Sequence, residues 1–136
     1  MITAVDTNVL LDLLLPDKEF VDRSTSALEE AAAAGSVTIC DIVYAELCAH
    51  FPKQRLCDGF LEETGIRVEA LNRSAGFLAS RAWRAYRSRG GTRKRILADF
   101  LIGAHAQLQT SRLLSRDRGF YREGFPSLVL MDPAEG

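Results

Sequence analysis

Residues Ile2 to Leu14 read ITAVDTNVLLDLL and place one acid, Asp6, between a β-prone run and an apolar helix. Thr7 or Asn8 is expected to cap that helix. In open α/β sheets, ligands bind in the crevice beyond the carboxyl ends of the strands, so a carboxylate there is placed for chemistry or for a metal ion. An Asp at a strand-to-helix turn also commonly binds backbone N–H groups. Asp6 alone leaves both interpretations open.

The composition indicates a globular protein with a substantial core. The chain has 136 residues, 47% of them hydrophobic, which predicts a single domain over residues 1–136. We expect no membrane association, because no apolar run approaches the roughly 20 residues that span a bilayer. No basic segment precedes the first apolar stretch, so no signal peptide is predicted. Three cysteines without a paired C-x-x-C pattern argue against a disulfide framework or structural zinc and favour a cytoplasmic location.

Charge is strongly segregated along the chain. Residues 1–69 contain 5 basic and 13 acidic side chains, whereas residues 70–136 contain 12 basic and 5 acidic ones. Between Arg81 and Arg95 there are seven basic residues and no acid, interleaved with Trp83 and Tyr86. Such a stretch can bind phosphates through charge and bases through stacking. A solvated helix face and a surface for an acidic protein partner remain open as alternatives.

Strand-like and helix-like segments alternate through the rest of the sequence. The predicted strands are residues 2–5, 37–40, 66–71, 113–115 and 127–131. The predicted helices are residues 9–14, 20–34, a segment capped by Asp41, 57–63, a basic helix from about residue 72 to Gly90-Gly91, and one that begins near Thr92. This alternation predicts a parallel sheet, whose strand ends gather at one edge.

Three further acids fall near predicted strand ends or helix starts. Glu46 lies about one turn into its helix, from where it could reach the strand ends, but the local pattern by itself favours a solvent-facing residue. Asp99 interrupts an apolar stripe, where an ionised group is costly unless it is paired or binds a metal; a helix-start Asp stabilised by the dipole is the alternative. Asp117 follows the strand at residues 113–115 much as Asp6 follows its own, although a surface ion pair with nearby arginines would also explain it.

Taken together, the four acids point to a metal site. Converging carboxylates repel one another unless some take up protons or a cation is present. Mg²⁺ or Mn²⁺ prefers oxygen ligands and can orient a phosphodiester and lower the pKa of an attacking water. His50 and His105 are predicted to be ordinary surface or packed histidines, and the sequence shows no competing Cys or His nucleophile system.

Four segments resemble the signatures of a known family. VDTNVLLDLL, the acid in YAEL, ADFLIGAHA and LLSRDRGFY look like the four motifs of PIN-domain ribonucleases, in particular the VapC toxins of bacterial and archaeal toxin–antitoxin pairs. Their order and spacing also resemble that family, over nearly the whole chain. The resemblance implies a three-layer α/β fold with a parallel, about five-stranded central sheet flanked by helices. It also implies a homodimer and an antitoxin whose C-terminal segment blocks the active site.

Carried over residue by residue, the resemblance implies Asp6, Glu46, Asp99 and Asp117 as a catalytic, metal-binding quartet for Mg²⁺ or Mn²⁺. Asp6 and Asp99 would hold the main ion, Glu46 would act directly or through water, and Asp117 would support a second ion. Thr7, Asn8 and Ser115 would be supporting polar residues. The implied reaction is hydrolysis of RNA, with tRNA or rRNA as the expected substrates. The candidate RNA-contacting residues are Arg81, Arg84, Arg87, Arg93, Lys94 and Arg116.

Two other functions compete with this hypothesis. One is a non-catalytic PIN-like module that binds RNA or a protein, against which the presence of all four acids counts. The other is a phosphoryl-transfer enzyme with Asp6 as its nucleophile; that chemistry commonly needs a second Asp two residues later, where this chain has Asn8.

Overall fold

The structure is a computed structural model that describes residues 1–91 and 95–133. Its strands are β1 (Ile2–Val5), β2 (Ser36–Cys40), β3 (Ile66–Glu69), β4 (Arg112–Leu114) and β5 (Leu130–Met131). Its helices are α1 (Thr7–Leu14), α2 (Val21–Ala34), α3 (Asp41–Cys48), α4 (Gln54–Thr64), α5 (Arg73–Ser88), α6 (Leu97–Gln109) and α7 (Arg118–Gly124). The predicted helix start at Thr92 lies outside the described residues.

The sheet is parallel throughout the described strands, in the order β3-β2-β1-β4-β5. Ala4 is central, paired with Thr38 on one side and with Leu113 on the other. Helices flank the sheet in three layers, which confirms the predicted fold class. Because parallel crossovers are right-handed, the connections after β1 and after β4 leave toward opposite faces. A crevice therefore opens between the carboxyl ends of these two strands.

Buried apolar side chains explain the stability of this arrangement. Val5, Ile39 and Leu113 are almost completely buried within the sheet, and Phe100 of α6 is buried among rings of α5, α7 and the residue that follows α7. Burying side chains of this size contributes about 1.5–3 kcal/mol each. The core therefore holds the crevice between β1 and β4 on rigid elements.

The helix α5 runs back along α6 as an antiparallel pair. At one end the Gln109 side chain accepts a hydrogen bond from the Asn72 backbone N–H (2.9 Å), and at the other the rings of Tyr86 and Phe100 lie 5.5 Å apart. His105 is buried in α6 and its Nε2 lies 2.7 Å from Glu69 Oε1, which confirms it as a packed histidine. The carboxyl end of α5 is thus brought close to the start of α6, where Asp99 lies.

Some local predictions were wrong. Asp6, and not Thr7 or Asn8, is the N-cap of α1. Cys40 occupies the cap position of α3, while the Asp41 carboxylate accepts a hydrogen bond from the Leu71 backbone N–H (3.3 Å), because the chain after β3 passes close to it. β5 is shorter than residues 127–131, since only its last two residues pair with β4.

Candidate active site

Asp6 is a buried carboxylate at the carboxyl end of β1, with only 7% of the residue exposed. Its Oδ1 accepts a hydrogen bond from the Thr7 backbone N–H (2.8 Å), which begins α1. Its Oδ2 accepts from Ser115 Oγ (2.8 Å) and from the hydroxyl of Tyr121 (3.0 Å). These donors come from three separate parts of the chain, so the tertiary fold fixes the direction of this carboxylate.

Ser115 links the ends of the two central strands. It directly follows β4, is 1% exposed, and its Oγ donates to Asp6 while accepting a hydrogen bond from the Asp117 backbone N–H (2.9 Å). The loop that carries Asp117 is therefore tied to the end of β1. This places the two strand-end acids on the same side of the crevice.

Thr7 connects Asp6 to Glu46. The Thr7 backbone N–H binds Asp6, and its Oγ1 donates to Glu46 Oε1 (2.7 Å). Glu46 is exposed on α3, yet this contact turns its carboxylate toward the strand ends. Glu46 and Asp6 thus form one pair of acids bridged by Thr7.

Asp99 and Asp117 form a second pair, with Arg95 beside both. Two nitrogens of the Arg95 guanidinium donate to the two carboxylate oxygens of Asp117, one of them over 3.1 Å. Asp99 is in the first turn of α6, where its Oδ2 accepts a hydrogen bond from the Ile96 backbone N–H (3.1 Å). The predicted dipole position of Asp99 is therefore real and coexists with its place in the acidic crevice.

The environment opposes ionisation of two of these acids. Burial raises the pKa of Asp6 above its usual value, and Glu46 adds a smaller rise; hydrogen bonds from Ser115, Tyr121 and Thr7 act in the other direction. Burial likewise raises the pKa of Asp99, with a contribution from Asp117. Carboxylates held in this way gain most from a cation, because a cation offsets both desolvation and mutual repulsion.

Tyr121 joins the candidate site without having been predicted from the sequence. Burial, followed by the charges of Asp6, Asp99 and Asp117, raises the pKa of its phenol well above the usual value, so the hydroxyl stays protonated and donates to Asp6. The charges of three of the four predicted acids thus contribute to the raised pKa of this one hydroxyl. A sequence signal does exist, since Tyr121 lies four residues after Asp117, but a single tyrosine in a short helix is also ordinary core.

The donor set fits a hard divalent cation, because it consists of carboxylate oxygens with hydroxyl groups nearby. Mg²⁺ or Mn²⁺ is implied by the family resemblance, and Asp6, Glu46, Asp99 and Asp117 are the residues that would hold it. In residues 1–91 and 95–133, however, no three Asp, Glu, His or Cys side chains stand together as a group that could hold an ion. The acids are arranged as the two pairs described above.

Two other predicted residues have structural contacts. The Asn8 side chain donates weakly toward Asp6 and Ser115 (both 3.4 Å) and accepts from the Arg116 backbone N–H (3.3 Å), so it also ties α1 to the loop after β4. Arg116, a predicted RNA contact, is paired within the protein. Its guanidinium makes two 2.9 Å hydrogen bonds to the buried Asp12, which the sequence analysis did not single out.

The predicted basic residues of α5 lie on an exposed helix face. Arg81, Arg84 and Arg87 line a surface groove of about 620 Å³ with Trp83 and two serines of the same helix. The Arg87 guanidinium lies 5.3 Å from the centre of the Trp83 ring. This face lies outside the acidic crevice. Its carboxyl-terminal end is nonetheless close to the crevice, because the end of α5 packs beside the start of α6, which carries Asp99. The predicted contacts Arg93 and Lys94 lie outside the described residues.

Comparison with known proteins identifies the family to which this fold belongs. Residues 3–126 match the sequence profile of the PIN domain. This match spans most of the chain, which therefore belongs to the PIN domain family.

Solved structures with a similar fold include ones described as VapBC, as FitAB and, from Klebsiella pneumoniae, as a toxin–antitoxin complex. VapBC2 from Rickettsia felis, bound to a DNA fragment from its promoter, matches at a TM-score of 0.74 and 22% identity, over 97% of this chain and 98% of the other. VapBC-1 from nontypeable Haemophilus influenzae matches at 0.74 and 19%, over 98% and 99%. FitAcB from Neisseria gonorrhoeae matches at 0.69 and 19%, over 100% of both chains. At these identities the likeness establishes a shared fold.

Neither a curated relative nor a membrane-spanning helix was found, the latter among the described residues. Functionally curated proteins yielded no significant sequence match. Among the helices of the described residues, none combines the length and the apolar character needed to cross a membrane.

Proposed function

We propose that this chain is a divalent-metal-dependent endoribonuclease and the toxin of a toxin–antitoxin pair. One observation carries the proposal. At the carboxyl ends of β1 and β4, Ser115 hydrogen-bonds both the Asp6 carboxylate and the Asp117 backbone N–H, and Thr7 joins Asp6 to Glu46. A fold that only bound RNA would gain nothing from burying acids beside a polyanion, because they repel phosphates and cost desolvation energy.

Mg²⁺ or Mn²⁺ held by these acids would act as a Lewis acid on the phosphodiester and lower the pKa of the attacking water. The protein's own contribution is positioning. Ser115 and Tyr121 hold one oxygen of Asp6, and Thr7 holds the other while orienting Glu46. The Ile96 backbone N–H orients Asp99 at the start of α6. Catalytic groups that the fold already orients lower the activation free energy of a hydrolysis, and this preorganisation is a large part of what an active site contributes.

The basic face of α5 is the proposed RNA-binding surface. Its arginines and Trp83 offer phosphate contacts and a stacking plane outside the acidic crevice, which separates binding from cleavage. RNA is the favoured substrate because exposed bases in single-stranded loops can stack on such side chains.

An antitoxin is the proposed protein partner, in a complex built on a homodimer of this chain. The similar structures are themselves described as VapBC or FitAB complexes, which supports a partner of this kind. The acidic crevice is suited to a basic segment of such a partner, since a cationic side chain would relieve the repulsion among the acids.

Cleavage by the purified protein tests the proposed function. Incubation with structured RNAs and Mg²⁺ or Mn²⁺ is expected to give defined fragments on a denaturing gel. Asp6→Asn or EDTA is expected to reduce the rate at least about 100-fold, since a metal site supplies several kcal/mol of transition-state stabilisation. Asp22→Asn, an exposed acid in the first turn of α2, is the matched control and should leave cleavage unchanged.

Three outcomes separate the alternatives. Cleavage that survives in Asp6→Asn or in EDTA contradicts the metal-dependent mechanism. Binding of RNA without cleavage of any RNA tested supports the non-catalytic module. Trapping of a phosphorylated Asp6 would support the phosphoryl-transfer alternative.

A further inference from the structure

Arg95 is a cation that the chain itself places in the acidic crevice. Both oxygens of Asp117 receive hydrogen bonds from its guanidinium, and Asp99 lies in the first turn of the helix that begins two residues after Arg95. The guanidinium also lies 4.4 Å from the centre of the Phe120 ring. The position of the Arg95 guanidinium is therefore fixed by two hydrogen bonds to the Asp117 carboxylate and by the face of the Phe120 ring.

The Arg95–Asp117 pair is stronger than an ordinary surface ion pair. The side chains of Arg95 and Asp117 are only 31% and 33% exposed, so solvent screens their attraction incompletely. Bidentate pairing matches the planar guanidinium to the carboxylate, and stacking on Phe120 adds a cation–π contact. The arrangement holds one positive charge where Asp99 and Asp117 would otherwise repel each other.

The same arrangement conflicts with loading of a divalent ion. Both Asp117 oxygens are hydrogen-bonded to the guanidinium, so they are not free to bind an ion while this pair persists. This agrees with the finding that no three acids of the described residues form a ready ligand group. A divalent ion next to Arg95 would also face like-charge repulsion at close range.

We infer that Arg95 is an internal counter-ion that competes with the divalent metal for the acidic site, so that metal loading requires its guanidinium to leave Asp117. The inference rests on the proposed metal site and adds regulation to it. Below a threshold concentration of the divalent ion, Asp117 therefore remains paired with Arg95. It is a positioning residue of the metal-free state and takes no part in bond breaking.

The test measures binding of Mn²⁺ to the full-length, metal-free protein, from the electron paramagnetic resonance signal of unbound Mn²⁺. Arg95→Gln is expected to tighten Mn²⁺ binding about tenfold, the order expected when a charge-assisted hydrogen-bonded pair no longer has to be broken. Arg89→Gln is the matched control. It removes the same charge from a neighbouring position, where the guanidinium is 52% exposed and lies 4.0 Å from Glu123, and its Mn²⁺ affinity should equal that of the wild type.

Arg95→Lys provides a second variant that keeps the charge but loses the bidentate fork. Its Mn²⁺ affinity should lie between those of the wild type and Arg95→Gln, and it carries the test if Arg95→Gln fails to fold by circular dichroism. Equal affinity in the wild type and the folded Arg95 variants, weaker binding in the variants, or equal tightening by Arg89→Gln would each overturn the role of Arg95. Absence of Mn²⁺ binding in every protein would instead overturn the proposed metal site.

Discussion

The Asp6 carboxylate caps a helix with one oxygen and anchors the crevice with the other. Capping requires only the next residue, Thr7, and is therefore local. The second oxygen depends on Ser115 and Tyr121, more than 100 residues away. Asp6, whose position alone suggested an ordinary turn residue, thus accepts more hydrogen bonds than the other acids of the site. The residues around it set the pKa of its carboxyl.

Tyr121→Phe is expected to weaken both stability and cleavage. The substitution keeps the ring but removes a hydrogen bond to a buried carboxylate, which should lower the free energy of unfolding by about 1–3 kcal/mol in urea titrations. That hydrogen bond lowers the pKa of Asp6, so its loss raises the pKa further. Because the acid must be ionised to bind a cation, the acidic limb of the pH–rate profile should move to higher pH.

Tyr44→Phe is the matched control for this prediction. The Tyr44 hydroxyl donates to Asp58 Oδ1 (2.7 Å) between α3 and α4, outside the crevice. Its removal should cost stability while leaving the pH–rate profile in place. If Tyr121→Phe and Tyr44→Phe had the same profile, Tyr121 would have only a structural role.

The α5 helix combines two roles on opposite faces. Ala75 and Ala79 are buried on its inner face, which lets it pack closely against α6, whereas its arginines and the 62%-exposed Phe77 face outward. The α5 part of the charged run, from Arg81 to Arg87, therefore forms a solvated helix face, whereas Arg95 pairs with Asp117. Exposure alone does not exclude RNA binding, because a phosphate-binding surface must itself be exposed.

Replacing Arg81, Arg84 and Arg87 together by Gln is expected to weaken RNA binding and its salt dependence. For each arginine that binds a phosphate in the wild type, the slope of log affinity against log salt should fall by about 0.7–0.9. Fluorescence anisotropy with a labelled RNA, on an Asp6→Asn background that prevents cleavage, measures this slope.

The control for this triple variant replaces three other exposed arginines by Gln, at Arg23, Arg55 and Arg67. It makes the same change in net charge away from the α5 face and should leave most of the RNA affinity intact. An equal decrease of affinity in both proteins would mean that only net charge matters.

The helix α6 packs closely against the chain that follows α7. Gly103 lies in α6 against the ring of Phe125, and a Cβ at this position would stand 2.4 Å from the Phe125 Cε2. Phe125 is 1% exposed and packs near Phe100 and Tyr121, so its ring has little space into which to move. The packing of the outer layer and the placement of Tyr121 are therefore coupled.

Gly103→Ala is expected to destabilise the whole molecule by about 1–3 kcal/mol, the usual cost of overpacking a core. Gly59→Ala is the same substitution within α4, where a Cβ meets nothing within 4 Å. It should stabilise the protein by about 0.5–1 kcal/mol, because Ala loses less backbone entropy in a helix. Chemical unfolding monitored by circular dichroism measures both changes. Equal effects of the two substitutions would contradict the close contact at Gly103.

The sequence by itself determined the order of strands and helices, the parallel α/β class and the four acids as candidates. Hydrophobic periodicity is a local property, and so are the breaks at Gly35 and Gly65 that end α2 and α4. One local error arose where a residue distant in sequence intervened, because the Asp41 side chain binds the Leu71 backbone N–H after β3 and does not cap α3.

Only the tertiary structure decided which polar groups meet. The strand order sets β4 beside β1, and this brings Ser115 and Tyr121 to Asp6 and Arg116 to the buried Asp12. It also places Arg95 against Asp117 instead of leaving it in an undivided basic run. Sequence patterns reach only three or four residues along a helix, whereas these contacts join residues 22 to 115 positions apart, so they follow from the packing of layers and not from any local pattern.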